Sequence, residues 1–269
     1  APASVDLGVV VPPRCRSRGG KIALQLEDRA ILSLIKSAFR RSPLGRLGRF
    51  NRLDDAAYLK AYARDTDRRV ERDPHTAIGG LWEEMGELQF SYLEASGLQP
   101  QHTLLDIGCG TLRGGRRFIP YLDAGNYTGV DISQAALTAA AELCREEGLD
   151  AQRPRLELVT DTRLDFSFLG QRYDYLLAQS VFSHLREAQI IELLSKIPKV
   201  MRPGGQFHFT YFPHEEKKVR AYKDFAYPFS FIREAAERAG RTAVEQPEYR
   251  HPHGQAMVEA RLKAEAAAA

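Results

Sequence analysis

Cysteine is scarce in this chain, with three among 269 residues. Cys15, Cys109 and Cys144 are odd in number, and their spacing matches neither a disulfide framework nor a metal site. Long apolar runs are also missing. No stretch approaches the roughly 18 residues of a membrane helix, and "LGVVVPP" near the start is cut short by two prolines. No secretory pattern of apolar core and small-residue cleavage site is present, so a cytoplasmic protein is expected. There is no internal repeat and no G-K-[ST] phosphate loop, which argues against a nucleoside triphosphatase. The 43% hydrophobic content is ordinary for a globular protein.

Charge is unevenly spread. Residues 1–75 hold 16 Lys and Arg against 9 Asp and Glu, and the remainder holds 22 against 26. Such a basic arm could meet nucleic acid or anionic lipid, but a solvated face explains it more simply. Residues 1–21 read as a disordered tail and residues 22–78 as a helical cap. The cap has one helix from Ile22 to Phe39 and a second capped by Asp54 that carries Tyr58, Leu59 and Tyr62. A third helix, from about Leu81 to Ala95, brings Trp82, Met85, Leu88, Gln89 and Tyr92 near one face. The terminal "EAAAA", within a tail at 264–269, carries no signal.

Between residues 79 and 263 the rhythm changes. "TLLDI", "YTGVDI", "RLELVT", "YDYLLAQS" and "GGQFHFTYF" read as strands separated by helical stretches. That alternation predicts an α/β fold with a doubly wound, mostly parallel sheet. "RTAVEQPEY" and "QAMVEARLK" flank the turn "RHPHG" and read as a closing hairpin.

The first strand runs into "LLDIGCGTLRGG", with four glycines in eight residues. In such sheets ligands bind beyond the carboxyl ends of the strands, and glycine there lets the backbone come close to a ligand. The dinucleotide fingerprint G-x-G-x-x-G fails because Arg113 stands at its third glycine, which weakens a nicotinamide oxidoreductase reading. A nucleoside cofactor without phosphate fits better. Asp106 would repel phosphate but could help hold an amine. Asp131 closes the second strand, where a carboxylate can accept ribose hydroxyls. Asp161 closes the third, within reach of an adenine amine. Cys109, inside the loop, reads as a small packed residue.

These segments and "VMRPGGQFHFTYF", in this order, resemble the motifs of class I S-adenosylmethionine-dependent methyltransferases over residues 79–262. The resemblance implies a seven-stranded sheet with an antiparallel last strand. It implies S-adenosyl-L-methionine as cofactor, released as S-adenosyl-L-homocysteine. It places Asp106, Gly108, Cys109 and Gly110 at the methionine end. Asp131 falls on the ribose, Ile132 with Asp161 and Thr162 around the adenine, and Gln179 near the sulfonium or acceptor. Where the family often has a further glycine, this chain has Leu112.

Methyl transfer from a sulfonium is in-line displacement, so alignment and exclusion of water are the main tasks. A hydroxyl acceptor must also lose a proton, and histidine suits that role. His184 in "SVFSHL" is the leading candidate for the base, with helix capping as the bland alternative. His208 reads as structural, and His251 and His253 as part of a plain turn. Tyr58, Tyr62, Trp82, Tyr211 and His214 are candidate acceptor contacts. The expected reaction is O-methylation of a small molecule such as a sugar, glycolipid or specialised metabolite. An RNA methyltransferase using the basic arm is a second reading, disfavoured because no nucleic-acid module is recognisable. A non-catalytic cofactor-fold scaffold is a third.

Overall fold

The computed structural model describes residues 53–77, 79–221 and 223–262. The expected tails at 1–21 and 264–269 and the first helix lie outside them. Among the described residues the chain forms seven α-helices and nine strands. Helix α1 spans Asp55–Val70, α2 Pro74–Ala77 and α3 Trp82–Ala95. The alternating part follows as β1 Leu104–Ile107, α4 Gly115–Tyr121, β2 Tyr127–Asp131, α5 Gln134–Glu146, β3 Arg155–Leu158, β4 Tyr173–Ala178, α6 Glu187–Val200 and β5 Met201–Pro213. Then come β6 Lys218–Ala221, β7 Asp224–Tyr227, α7 Phe229–Arg238, β8 Arg241–Gln246 and β9 Ala256–Leu262.

The main sheet has the order β3-β2-β1-β4-β5-β9-β8. Strands β1 to β5 are parallel, and β9 runs antiparallel to both β5 and β8. This is the seven-stranded sheet with an antiparallel last strand. The sequence reading did not anticipate the two-stranded ribbon of β6 and β7, which pairs with the last residues of β5 at Phe212 and Pro213. The ribbon lies beyond the β9 pairing and extends β5 past the sheet's edge.

Strand alternation divides the core into two faces. Leu105, Ile107, Leu176, Ala178, Phe207 and Phe209 enter the cluster shared with α6 and α7. Leu104, Tyr127, Tyr175 and Leu177 point the other way, into the cluster with Leu93, Phe118 and Leu137. His208 falls on this second face, fully buried between the Tyr92 hydroxyl at 3.0 Å and Gln206 Oε1 at 3.1 Å. Burial pulls its pKa down to about 3. It is therefore a neutral structural residue.

Helix α1 is tied to the sheet through its polar side chains. The Asp54 carboxylate caps it by accepting from the Ala57 amide at 2.7 Å. Asp67 Oδ1 accepts from Ser133 Oγ at 2.6 Å and the Ala135 amide at 3.2 Å, so α1 helps cap α5. Tyr58 is wholly buried in the core.

Close backbone approach limits the α4 end of the first crossover. A methyl group on Gly115 would lie 2.5 Å from the Tyr127 hydroxyl oxygen and 2.6 Å from Leu112 Cδ2. Gly115→Ala is expected to destabilise the fold by about 1–3 kcal/mol. Thermal melting would show this as a drop of several degrees, and an unchanged melting temperature would refute the constraint.

Candidate functional site

A cavity of about 530 Å³ opens above the carboxyl ends of β1, β2 and β4, within the usual range for small-ligand sites. Its floor is the loop that follows β1. Gly108 and Gly110 have φ of 73° and 58°, where glycine is strongly favoured. A Cβ on Gly108 would sit 2.6 Å from Val181 Cγ2, so the glycine is required by space as well as by φ. The amides of Gly108 and Cys109 turn back onto the Val130 carbonyl at 2.7 and 3.1 Å.

Leu112 adopts φ 68° although it is not glycine. Such backbone costs about 1–3 kcal/mol. The Leu112 side chain is fully buried, which is worth about 1.5–3 kcal/mol and offsets the strain. The loop thus takes a glycine-like course without the glycine.

Asp131 joins the loop to the next strand. Its Oδ2 accepts from the Gly110 amide at 3.0 Å and its Oδ1 from the Ser133 amide at 2.8 Å. Enclosure raises its pKa, opposed by these amides. Asp106 is more deeply buried and accepts from the Tyr127 hydroxyl at 2.8 Å. Burial, reinforced by Asp131, pushes its pKa up to about 7, while Tyr127 and Arg113 pull the other way. Cys109 lines the same floor. Burial, with Asp106 and Asp131 nearby, holds its thiol well above the ordinary range, so it is an inert, packed thiol.

The opposite wall carries His184. Its Nδ1 lies 2.9 Å from Asp224 Oδ1 and 3.0 Å from the Lys223 carbonyl. Both neighbours can only accept, so in neutral His184 the proton sits on Nδ1 and Nε2 keeps its lone pair. Burial would raise the pKa of Asp224, but the hydrogen bond from His184 and the charges of His184 and Lys223 hold it below the ordinary value. The Tyr62 ring lies 5.1 Å from the His184 ring and lines the cavity. Lys223 is buried, with Nζ 2.9 Å from Asp65 Oδ2 and 4.6 Å from the Tyr62 ring centre.

Asp106, Gly108, Cys109, Gly110, Asp131, Ile132, Gln179, His184 and Tyr62 come together in this cavity. The other expected contacts do not line it. Asp161 turns back to accept from its own neighbour, the Arg163 amide, at 2.9 Å, while Leu164 and Phe166 form the wall instead. Thr162 sits in the same turn and stays outside. Tyr211 faces the α6–α7 core because strand alternation turns it away, and its hydroxyl donates to Glu245 at 2.5 Å. His214 is exposed just past the last residue of β5, and its Nδ1 lies 2.9 Å from the Glu216 carbonyl. Trp82 stacks on His75 at 4.1 Å. Tyr58 supports the site from beneath, donating to the His184 carbonyl at 2.7 Å.

Sequence reasoning missed Asp224, Lys223, Arg113 and Gln89. The first two arrive on the unforeseen ribbon, and no motif marks them. It also set His251 and His253 aside as a plain turn, yet both line the cavity with Gln255. Gln255 ties that turn to the end of β4 by donating to Ser180 Oγ at 3.1 Å.

Strand order, crossover position and a glycine loop at the switch point define a Rossmann-like domain of the class I methyltransferase type. A methyltransferase-domain family matches residues 105–207, and the sheet has the arrangement of the class I S-adenosylmethionine-dependent methyltransferase fold. Among curated relatives, a ribosomal protein L11 methyltransferase from Lachnoclostridium phytofermentans is 27% identical over 177 residues, covering 58% of this chain and 51% of that protein. A 24-methylenesterol C-methyltransferase 2 from Oryza sativa subsp. japonica is 28% identical over 109 residues, covering 40% and 28%. The chain thus spans about half or less of the length of these relatives. Among solved structures, magnesium protoporphyrin IX methyltransferase from Synechocystis PCC 6803 superposes with a TM-score of 0.59 at 18% identity, covering 78% of this chain and 98% of that one. A glycopeptide N-methyltransferase superposes at 0.53 and 16% identity, covering 66% and 94%.

The raised Asp106 pKa has a measurable consequence. Its carboxyl is favoured in the protonated form when folded, so its contribution is fully present below the unfolded value of about 4. That contribution is lost as pH rises through about 7. Relative to Asp106→Asn, the wild-type melting temperature should fall between about pH 4 and 7. Parallel pH profiles for the two proteins would show that Asp106 carries no such shift.

Proposed function

We propose that this chain is a methyltransferase that transfers a methyl group from S-adenosyl-L-methionine to a hydroxyl of a small-molecule acceptor. The observation that carries this reading is the pairing, across one cavity, of the Gly108–Gly110 floor and a histidine whose Nε2 is available. The cavity fits the cofactor at three points. The two glycines clear the backbone, Asp131 offers an acidic edge at the end of β2, and Ile132, Val159, Leu164 and Phe166 make an apolar slot. S-adenosylmethionine supplies a methyl group already activated on a cationic sulfur.

The protein's own residues do the rest. Asp131 binds the ribose edge and Ile132 packs on the adenine, while Leu164 and Phe166 replace the contacts once expected from Asp161 and Thr162. Gln179 is held toward the reacting centre by the Tyr249 hydroxyl, which donates to its Oε1 at 2.8 Å. His184 accepts the acceptor's proton at Nε2. Asp224 keeps the ring in that tautomer and stabilises the imidazolium that forms. Tyr62 and Leu59 of α1 line the cavity, so α1 acts as a cap over the bound cofactor. A cavity of this size suits a small acceptor better than a nucleic-acid strand.

Calorimetry tests the cofactor assignment. S-adenosylhomocysteine should bind the wild-type protein and lose at least tenfold in affinity in Asp131→Ala, with the variant's melting temperature checked in parallel. No binding to the wild type would refute the reading. In His184→Ala, turnover should fall about 10²- to 10⁴-fold while S-adenosylhomocysteine affinity stays within about threefold. Undiminished turnover would remove His184 from the mechanism.

A further inference from the structure

The turn between β8 and β9 holds a hydrogen-bond donor that no described residue satisfies. His251 is 8% exposed and lines the cavity. Its Nδ1 accepts from the His253 amide at 3.0 Å. An Nδ1 that accepts carries no proton, so in the neutral ring the hydrogen is on Nε2. That Nε2 is buried and has no partner among the described residues. Burial, with the neighbouring charges of His253 and Arg113, lowers the His251 pKa to about 4, so the ring is neutral near pH 7. A buried donor without a partner costs about 1–3 kcal/mol. Such a group at the wall of a ligand cavity calls for an oxygen from the ligand.

The surroundings say which oxygen. Arg113 is buried in the same wall, and its Nη1 donates to the Gly80 carbonyl at 2.8 Å. Its guanidinium interacts electrostatically with both Asp106 and His251. This part of the cavity therefore offers a carboxyl group, a guanidinium and a neutral N–H donor within one electrostatic neighbourhood. A zwitterionic α-amino acid matches that set, its ammonium toward Asp106 and its carboxylate toward Arg113 and His251. A bare nucleoside has no carboxylate to offer the His251 Nε2 hydrogen.

We propose that His251, through its Nε2 hydrogen, binds the carboxylate of the cofactor's α-amino-acid end beside Arg113, which makes the β8–β9 turn part of the cofactor site. This assignment rests on the S-adenosylmethionine reading above. It also gives a role to the turn's anchoring: Gln255 accepts from Thr210 Oγ1 at 2.6 Å and donates to Ser180, which holds His251 against the loop.

Two variants separate the donor from the turn. His251→Asn places an amide oxygen where Nδ1 was, so the bond from the His253 amide survives as an Asx-type turn while the Nε2 donor is lost. His251→Gln restores a donor near Nε2 and gives up the turn bond. Calorimetry on the full chain uses two probes, S-adenosylhomocysteine and 5′-methylthioadenosine, the second keeping the nucleoside but lacking the amino-acid end. His251→Asn should lose about tenfold or more for S-adenosylhomocysteine, as expected for a hydrogen bond to a charged group. It should bind 5′-methylthioadenosine as the wild type does, and His251→Gln should hold S-adenosylhomocysteine within about threefold. Equal losses on both probes, no loss in His251→Asn, or a tenfold loss in His251→Gln would each overturn the assignment. Wild-type protein that binds neither nucleoside would instead overturn the cofactor reading beneath it, and the assignment with it.

Discussion

The site depends on the Asp131 carboxylate at the end of β2. One oxygen receives the Gly110 amide and the other the Ser133 amide. A single side chain thereby sets the course of the glycine loop and the start of α5. The same loop is pressed from the other side by Val181, which leaves no room for a Cβ on Gly108. Held between β2 and the segment after β4, it can present backbone to a ligand without folding into the space itself.

Polar groups near this loop are arranged so that burial alters their protonation in useful directions. Desolvation raises the Asp106 pKa to about 7, and Cys109 is kept as a thiol. His251 is kept neutral with its tautomer chosen by a backbone amide. On the far wall, Asp224 stays ionised against burial because His184 donates to it. The result is a cluster of Asp106, Arg113 and His251 on one part of the cavity and the His184–Asp224 pair on the opposite wall. Helix α1 closes the space between them, anchored by Asp67 to the start of α5 and by Tyr58 to the His184 carbonyl.

Much of the frame was legible in the chain, for local reasons. Alternating strands and amphipathic helices have periods that sequence displays directly, and the boundaries of α3 fell within a residue of expectation. "LLDIGCGTLRGG" and the acid closing "YTGVD" announced the tight loop at the sheet's carboxyl edge because close backbone approach and a strand-end carboxylate both leave local marks. The acceptor side left no such mark. Tyr211 and His214 looked equally placed near the end of β5, yet strand alternation sends Tyr211 into the core. Asp161 looked like an adenine contact, yet its Oδ1 accepts from Arg163 and the residue does not line the cavity.

The sequence by itself determined the doubly wound sheet, the glycine floor and Asp131, since each rests on residues adjacent in the chain. Only the tertiary structure decided what faces that floor. Asp224 lies 40 residues from His184 and comes within 2.9 Å of it because the β6–β7 ribbon pairs with the last residues of β5. His251 faces the cavity because β9 lies antiparallel to β5 and brings the hairpin turn back over the sheet's carboxyl end. Contacts of that kind arise from strand pairing across the sheet, where closeness in space is unrelated to closeness in sequence.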